Sequence, residues 1–392
     1  MGLDLIVVTA YPPFTGHEAQ ILPEARALSA KGVGITIVPR SFRRKSEGNA
    51  GSTVPSVIAL PLVNEEILFA AAKVTLTSPL KVLRTAGLLF KSRTLNIFLK
   101  NLAVFPKGLW LGELASRLNI KHIHAHWGST TATLAMIAHR VSGIPWSFTV
   151  HRWDIAENNL LKQKVRDSVF VRAVSSRGGC ELADLGCDLS KIVVLHMGVD
   201  LPHGSAPVKP AKVLRLVCAA NFAPEKDHRT LLRAISLLKS KGISVQLTLC
   251  GDGPLANRIR RSVATLELDA DVVFEGRVDH HTLLGMLRNG VWDVAVLSSN
   301  IEGIPVFLME AMAAGIPVVA TRVGAVQELC TETCSVLVSP SVESVAYGIR
   351  RVYQSVSLRR ELRKNGRRRV ESQFNIDQVA SSLKELFESR CA

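Results

Sequence analysis

Two carboxylates, Glu302 and Glu310, stand eight positions apart, with only glycine, proline and apolar residues between them. They follow an apolar run at 294–297 that predicts a buried strand. Pro305 is typical of the first turn of a helix, and Gly315 is typical of the end of one. We therefore expect Glu302 in a strand-to-helix loop and Glu310 about one turn into the helix.

The chemistry that this segment suggests is the binding of a phosphorylated sugar. Backbone amides of Val306 and Phe307 would point out of the helix N-terminus, where a phosphate is stabilised. With a carboxylate on either side, such a helix end can bind a sugar, a diphosphate and a ribose. An ordinary βαβ crossover explains the apolar residues, but it leaves Glu310 unexplained, because a buried carboxylate without partners is costly.

Other loops in the same half carry residues that suit a nucleotide. Lys226 lies in a loop before a predicted helix with Asp227 at its N-cap, and its ammonium can neutralise a diphosphate leaving group. Gly251 begins a Gly-Asp-Gly turn that lets a backbone approach a nucleotide, although this turn is a weak signal and lacks the third glycine of the dinucleotide fingerprint. Backbone groups at Arg277 and Val278 are candidates for contacting a base.

The elements that must position these residues alternate between strand-like and helical runs in both halves of the chain. This alternation predicts an α/β fold with parallel sheets and helices on both faces. A proline-rich stretch at 198–210 is interpreted as a linker. We expect two doubly wound domains, 1–200 and 201–373, that face each other across a ligand-binding cleft, with a helix at about 374–392 packing back onto the first domain.

In the first half, Gly16 permits close approach of a ligand at the next helix start. Three histidines alternate along 122–126 and share one face of a strand. We expect His126, at the strand end, to face the cleft and the other two to be structural, since no carboxylate nearby supports a metal site. His151 ends the next strand, with Asp154 close by, and is likewise expected to point into the cleft. A purely structural histidine is the alternative.

Composition limits the class of protein. A chain of 392 residues with 47% hydrophobic and 21% charged residues is globular and too long for a single core. It has no run of 18 apolar residues, so we expect no transmembrane helix, and its first residues predict a core strand, not a signal peptide. The seven cysteines form no CxxC pair, which favours reduced thiols, no metal and a cytoplasmic location.

Residues 67–112 contain seven basic residues and no acidic ones, mixed with large apolar residues. This mixture is typical of a helical surface that binds anionic lipid, so peripheral binding to the inner face of the cytoplasmic membrane is expected. An ordinary solvated face is the alternative. Nucleic acid is not an expected partner, because aromatic residues make up only 5% of the chain and no binding motif occurs. A second basic cluster at 359–369 is interpreted first as a solvated face.

The Glu302–Glu310 spacing resembles the Glu-x7-Glu signature of the retaining family 4 glycosyltransferases. Other motifs of that family follow in the same order along nearly the whole chain: His-Ala-His-Trp127, Thr-Val-His151-Arg-Trp-Asp154, Val174-Ser175, Met197-Gly-Val-Asp200, Glu225-Lys226, Gly251-Asp-Gly253 and Gly324-Ala-Val-Gln-Glu328. The resemblance is greatest to bacterial transferases of exopolysaccharide, colanic-acid-type or lipopolysaccharide assembly. It implies two Rossmann-like domains of the GT-B type, the first for the acceptor and the second for the nucleotide-sugar donor.

The resemblance also implies roles for residues. Glu310 would bind the ribose hydroxyls, Glu302 the donor sugar hydroxyls, and Lys226 the diphosphate, while His151 would lie near the reacting sugar. His151 and Glu302 are thus the expected catalytic residues, and His126 and Asp154 are expected on the acceptor side. The expected donor site comprises Gly16, Asn221, Lys226, Gly251, Arg277, Val278, Glu302, Gly303, Val306, Phe307 and Glu310.

Two positions depart from the family pattern. Asn221 stands where the family usually has an arginine, and Arg229 or Arg322 would have to supply that charge. Thr15-Gly16 stands where a glycine pair is common. The resemblance further implies retention of the anomeric configuration, no metal and no other cofactor, with the leaving phosphate taking the acceptor proton.

We therefore expect a transferase that moves a hexose from a nucleotide diphosphate sugar to a lipid-linked or polysaccharide acceptor in cell-surface glycan synthesis. Two alternatives remain open from the sequence. One is an epimerase or phosphorylase of the same architecture. The other is a catalytically silent, membrane-associated partner in a glycan assembly complex.

Overall fold

The computed structural model of the chain describes residues 2–12, 18, 20–42, 55–202, 204 and 212–391, with the side chain of residue 391 excepted. The chain divides into two compact units. The first comprises residues 1–196 and 376–392, and the second comprises residues 197–375.

The first unit is built on a parallel sheet in the order β3-β2-β1-β4-β5-β6-β7. Its strands are β1 (Asp4–Thr9), β2 (Gly34–Pro39), β3 (Ser56–Val57), β4 (His122–His126), β5 (Trp146–Val150), β6 (Phe170–Ala173) and β7 (Ile192–Val194). Both faces of the sheet are buried, because alternate side chains of β1 enter two different cores. Ile6 and Val8 lie in one core, and Leu5 and Val7 lie in the other.

Helices cover both faces of this sheet. They are α1 (Ile21–Ala30), α2 (Glu65–Thr77), α3 (Pro79–Leu89), α4 (Leu95–Ala103), α5 (Phe105–Arg117), α6 (Thr130–Ser142), α7 (Arg152–Glu157), α8 (Leu161–Asp167), α9 (Ser176–Asp184) and α17 (Ile376–Cys391). The last of them returns to the first unit. Ile376, Ala380, Leu383 and Phe387 recur at helical spacing and share the core of Leu5.

The second unit repeats the same topology, with a parallel sheet in the order β10-β9-β8-β11-β12-β13. Its strands are β8 (Leu214–Ala219), β9 (Val245–Cys250), β10 (Val272–Gly276), β11 (Val294–Leu297), β12 (Val318–Thr321) and β13 (Val336–Val338). Its helices are α10 (His228–Ser240), α11 (Ala256–Thr265), α12 (His280–Arg288), α13 (Val306–Ala313), α14 (Val326–Leu329), α15 (Val342–Gln354) and α16 (Val356–Gln373). The predicted fold class, two Rossmann-like doubly wound α/β sheets, is confirmed.

Strand order reverses direction once in each sheet, between β1 and β4 and again between β8 and β11. Ligands of open parallel sheets bind at the carboxyl ends of the strands that flank such a reversal. The loops after these four strands are therefore the first places to look for a site. None of the helices in the described ranges is long and apolar enough to cross a membrane.

The basic stretch 67–112, expected to form a helical surface, lies on four helices, α2 to α5, but one of its seven basic residues is not at the surface. Lys107 is fully buried, and its ammonium donates hydrogen bonds to the carbonyl oxygens of Leu60 at 2.6 Å, Pro39 at 2.7 Å and Arg40 at 3.1 Å. Burial lowers the pKa of Lys107 to about 8, and the charge of Arg40 acts in the same direction. The prediction that Lys107 belongs to a basic surface is therefore wrong.

Candidate functional site

The residues predicted for a donor site in the second half follow successive strands of one parallel sheet, so they emerge at its carboxyl edge. Asn221 and Lys226 follow β8, Gly251 follows β9, Arg277 and Val278 follow β10, and Glu302 and Gly303 follow β11. Asn221 and Arg277 are exposed, whereas Glu302 is buried.

The buried carboxylate of Glu302 is paired with a lysine from a different loop. Its Oε1 lies 2.5 Å from Nζ of Lys226 and accepts a hydrogen bond from Oγ of Ser299 at 2.7 Å. Lys226 closes a 3₁₀ turn, and Asp227 then caps α10, as predicted, by accepting a hydrogen bond from the backbone of Thr230. The loops after β8 and β11 are thereby joined by an ion pair.

A glycine in the next loop lets the chain pass close to Glu302. Gly324 has a φ of +54°, and a Cβ placed there would lie 1.9 Å from the carbonyl oxygen of Glu302. Gly251 has a similar packing role, since a Cβ there would lie 2.0 Å from the carbonyl oxygen of Ala220. Gly303, in contrast, has open space around its missing side chain.

The helix that follows Glu302 begins one residue later than the sequence pattern indicated. Pro305 is the N-cap of α13 and not part of its first turn, so Val306 and Phe307 are the first two helical residues. Their N–H groups have no acceptor within a helix, because the first turn has no preceding carbonyl. The helix ends at Ala313, and Gly315 follows with a φ of +78°, consistent with the predicted helix end.

Glu310 lies within α13 and is 7% exposed. Its Oε1 is 2.5 Å from Nε2 of His280, which is the first residue of α12. This hydrogen bond raises the pKa of His280, burial opposes the shift, and the charges of Glu310, Asp200 and Asp279 reinforce it. The partner that a buried carboxylate requires is thus a histidine from the loop region after β10, a different strand of the same sheet.

Sequence reasoning missed His280. A signal was present, because His280 follows Glu275-Gly-Arg-Val by two residues and starts a helix at the same sheet edge.

Of the two arginines considered as substitutes at position 221, Arg322 forms an ion pair with Glu332 and donates to Gln327, and Arg229 is exposed at the start of α10.

In the first unit, two predicted residues meet at the ends of neighbouring strands. Nε2 of His126, at the end of β4, lies 3.2 Å from Nε2 of His151, which directly follows β5. The ring of Trp127 packs on His151 with 4.4 Å between centroids. Burial lowers the pKa of His126 to about 3, and the charge of Arg172 adds to the effect. His126 is therefore neutral near pH 7.

Asp154 holds the backbone of His151. Its Oδ2 accepts a hydrogen bond from the His151 amide at 2.9 Å, which closes a capping box at the start of α7. Burial raises the pKa of Asp154 to about 6, although hydrogen bonds from the amides of His151 and Gly128 oppose this. The structure thus places Asp154 behind His151, in a buried capping position.

Trp127 is fixed by a buried acid that sequence reasoning did not single out. Trp127 has a φ of +99°, which is unusual for an aromatic residue, and its Nε1 donates to Oε1 of Glu18 at 2.9 Å. Burial raises the pKa of Glu18 to about 7, against the hydrogen bond from Trp127. Gly16, predicted for the donor site, lies outside the described residues.

The remaining two histidines of β4 bind hydroxyl groups of β5. His122 and His124 each lie 2.7 Å from Oγ of Ser147, and His124 also lies 2.9 Å from Oγ1 of Thr149. These contacts satisfy the rings within the sheet. In the described part of the chain, no group of three or more histidine, cysteine, aspartate or glutamate side chains is arranged to hold a metal ion.

Two family models match the chain and cover most of it. Residues 14–202 match the model described as Glycosyltransferase Family 4, and residues 205–369 match the model described as Glycosyl transferases group 1. The boundary between the two matches lies near the start of the second unit.

Among curated proteins, the chain is 29% identical over 299 residues to the putative colanic acid biosynthesis glycosyltransferase WcaL of Escherichia coli K12. That alignment covers 71% of this chain and 73% of the relative. The chain is 31% identical to the putative glycosyltransferase EpsF of Bacillus subtilis, over 50% of this chain and 56% of the relative. It is 26% identical to the amylovoran biosynthesis glycosyltransferase AmsK of Erwinia amylovora, over 61% and 62%.

Solved structures share the fold at low identity. The crystal structure of Anabaena Alr3699/HepE in complex with UDP and glucose matches with a TM-score of 0.73 and 13% identity, and the match covers 99% of this chain and 100% of that one. A glycosyltransferase from Rickettsia africae matches with a TM-score of 0.70 and 17% identity, over 99% and 98%. This likeness shows the GT-B fold.

The His280–Glu310 contact predicts a pH-dependent contribution to stability. The folded-state pKa of His280 is raised, so the contribution is complete below the unfolded value of about 6.5 and falls as pH rises through the folded-state pKa. We expect His280→Ala to lower the free energy of unfolding by about 1–2 kcal/mol at pH 6, and by less at pH 9. Urea unfolding at several pH values measures this.

His281→Ala is the matched control, because His281 is the exposed neighbour of His280 on α12. The control should differ little from the parent protein at either pH. A His280→Ala effect that stays constant across this pH range would show that the charged contact does not contribute to stability.

Glu18 predicts a pH effect in the first unit. Its pKa is raised from 4.5 to about 7, so the folded state binds the proton more tightly, and stability falls as pH rises from about 4.5 to about 7. Glu18→Gln should remove this loss, which is roughly 3 kcal/mol at most for such a shift. Thermal unfolding of the parent protein and of Glu18→Gln at pH 5 and pH 8 measures this effect. The control is Glu65→Gln, which changes an exposed glutamate. If Glu18→Gln and the parent protein show the same pH dependence, Glu18 is not the source of the loss.

Proposed function

We propose that this chain, which belongs to the glycosyltransferase family described by its two matching models, transfers a hexose from a nucleotide diphosphate sugar to a lipid-linked or polysaccharide acceptor. In this proposal the second unit binds the donor and the first unit binds the acceptor. The reaction retains the anomeric configuration and needs no metal ion. The product is part of a cell-surface glycan.

The observation that supports donor binding most directly is the pairing of Lys226 with Glu302 beside the start of α13. An ammonium and the first N–H groups of a helix are both suited to a diphosphate. Ser299 also donates to Glu302, so the carboxylate keeps one hydrogen bond when the ammonium of Lys226 contacts a phosphate. Its free acceptor capacity then suits the hydroxyls of the donor sugar.

Glu310 is assigned to the ribose hydroxyls, and His280 fixes its orientation through the 2.5 Å contact. Val306 and Phe307 contribute their amides to the diphosphate. The residues at the ends of β8, β9 and β10 complete the assigned donor site: Asn221, Gly251, Arg277 and Val278. Arg277 is exposed at that edge and is free to approach a base.

The proposed reaction breaks the bond between C1 of the sugar and the oxygen of the diphosphate. The acceptor oxygen bonds to C1 on the same face, and the acceptor proton passes to the departing phosphate oxygen. Lys226 and the start of α13 stabilise the negative charge that grows on the diphosphate. His151 is assigned a position near the reacting sugar, held by His126, Trp127 and Asp154.

The names of relatives support the glycan and the donor class. The Escherichia coli and Erwinia amylovora proteins are named for colanic acid and amylovoran biosynthesis. HepE has been crystallised with UDP-glucose, and another protein of this fold is a lipopolysaccharide outer core galactosyltransferase. We assign a nucleotide sugar donor and an exopolysaccharide-type acceptor on this basis.

The proposal predicts that Glu302→Gln lowers kcat by roughly 100-fold to 1,000-fold, because the sugar hydroxyls and the ammonium of Lys226 lose a charged partner. Lys226→Ala should raise KM for the donor and lower kcat, since the diphosphate carries charge in both the ground and transition states. Transfer is measured with the nucleotide sugar that gives the largest rise in melting temperature in a ligand scan.

The control is Glu343→Gln, which removes an exposed carboxylate at the start of α15. NMR of the product reports whether the anomeric configuration is retained. Full activity of Glu302→Gln in a folded protein contradicts the assignment. A product formed without acceptor would indicate an epimerase, a requirement for inorganic phosphate a phosphorylase, and donor binding without turnover a silent partner.

A further inference from the structure

Three consecutive helices of the first unit bury one face each and turn the opposite face to solvent. Ile67 and Ala70 of α2, Leu88 of α3 and Ile97 of α4 are buried. Ile67, Ala70, Leu89 and Trp110 share one hydrophobic core. All three helices pack inward, α2 mainly on α5, α3 on α2 and α6, and α4 on α5 and α6. Their outward faces have no covering element among the described residues, as the exposure of their side chains shows.

The outward faces are apolar to a degree found at no other place in the described part of the chain. Seven large apolar side chains there are between 70% and 82% exposed. One is Val63, just before α2. The other six lie on or beside these three helices: Phe69, Leu76, Leu80, Leu83, Phe90 and Leu95. We call this set the outward apolar surface.

Helical spacing places basic residues among these apolar side chains. On α3, Leu80, Arg84 and Gly87 follow one another at intervals of four and three, so they share a face. Lys91 lies in the turn just after this helix and is exposed. Arg93 follows two residues later and is also exposed. The acids of these three helices are Glu65 and Glu66 at the start of α2, and none occurs in 67–112, so the part of the surface on α3 and α4 is cationic as well as apolar.

Two basic residues of the 67–112 stretch already form ion pairs with acids outside it. Lys73 contacts Glu113 at 2.6 Å, and Lys100 contacts Glu157 at 3.6 Å. Lys81, Arg84, Lys91 and Arg93 are exposed and each lies within three residues of the exposed Leu83 or Phe90. Of these, Lys81 also donates to the carbonyl oxygen of Val141 at 3.4 Å. A ligand for this surface must therefore offer both an apolar layer and negative charge.

We propose that the outward apolar surface binds an anionic phospholipid bilayer. Apolar side chains of α2, α3 and α4 would enter the boundary between headgroups and acyl chains, and Arg84, Lys91 and Arg93 would contact the lipid phosphates. A second copy of this chain fits less well. A twofold contact would bring the cations of two copies together, and the acids of α2, α3 and α4 available to compensate them are only Glu65 and Glu66 at the start of α2.

The proposal does not depend on the assigned reaction, because lipid binding is measured without donor or acceptor. Co-sedimentation with vesicles of phosphatidylcholine containing about one third phosphatidylglycerol should show binding, and vesicles of phosphatidylcholine alone should show much less. Raising the salt concentration should weaken binding, because the electrostatic part is screened. Failure of the transferase assay would leave this result unchanged.

Charge reversal at Arg84→Glu, Lys91→Glu and Arg93→Glu should lower partitioning onto the anionic vesicles by roughly 100-fold or more, at about fivefold for each lost cation. A matched control reverses three exposed basic side chains of α16 at helical spacing: Arg360→Glu, Lys364→Glu and Arg368→Glu. The control changes the net charge equally but touches no exposed large apolar residue. Equal loss in both triple variants would mean that net charge alone drives binding, and would overturn the proposal.

The apolar contribution is tested separately by Leu80→Ser, Leu83→Ser and Phe90→Ser, which should reduce binding to anionic vesicles while charge is unchanged. The control removes exposed apolar side chains elsewhere: Leu118→Ser, Leu189→Ser and Val291→Ser. All six substituted side chains are exposed, so each variant should fold, and an unchanged melting temperature would verify this. The proposal would be overturned if the parent protein did not bind vesicles but formed a concentration-dependent dimer that the triple variant at positions 80, 83 and 90 lost. That result would identify a second copy of the chain as the occupant of this surface.

Discussion

A carboxylate buried at the end of a parallel sheet must be paired, and this requirement decides how the edge of the second unit is built. Glu302 and Glu310 lie on one loop-and-helix segment, yet their partners come from two other strand ends. Lys226 follows β8 and His280 follows β10, so two contacts join three loops. Each partner is only partly buried, which leaves the charged groups within reach of a ligand. The atoms that hold these three loops together are therefore the same atoms that the proposed function assigns to the donor.

The first unit meets the same requirement with neutral donors. Glu18 pairs with an indole N–H and Asp154 with a backbone amide, and burial raises the pKa of both acids. These two pairings help to position His151. Trp127 and Asp154 contact His151 from its ring side and its backbone side, and His126 contacts its Nε2. The orientation of one histidine is thus determined by three neighbours that are themselves buried or hydrogen-bonded.

Local patterns were enough to predict the strands, the loop position of Glu302 and the helical position of Glu310, because apolar runs and helix-end residues act over a few positions. The hydrogen-bond partners of these residues were harder to predict. His280 is 30 residues from Glu310, and Glu18 is 109 residues from Trp127, so no local sequence pattern indicates either contact. Lys107 is different, because Lys107, Trp110, Leu111 and Leu114 share one helical face, and the apolar residues there already indicated burial.

The helices α2 to α4 show why composition alone could not assign a surface. They carry apolar residues on both faces, so periodicity cannot say which face is inward. Packing against α5 and α6 makes that choice and leaves Phe69, Leu83 and Phe90 in solvent. Such exposure forgoes the stabilisation that burial would give, and a contiguous exposed apolar patch usually marks an interaction site. Cations occur on this face, and the acids of these helices are confined to Glu65 and Glu66 at the start of α2. The apolar side chains and the charges therefore call for one common explanation, and an anionic lipid surface accounts for both.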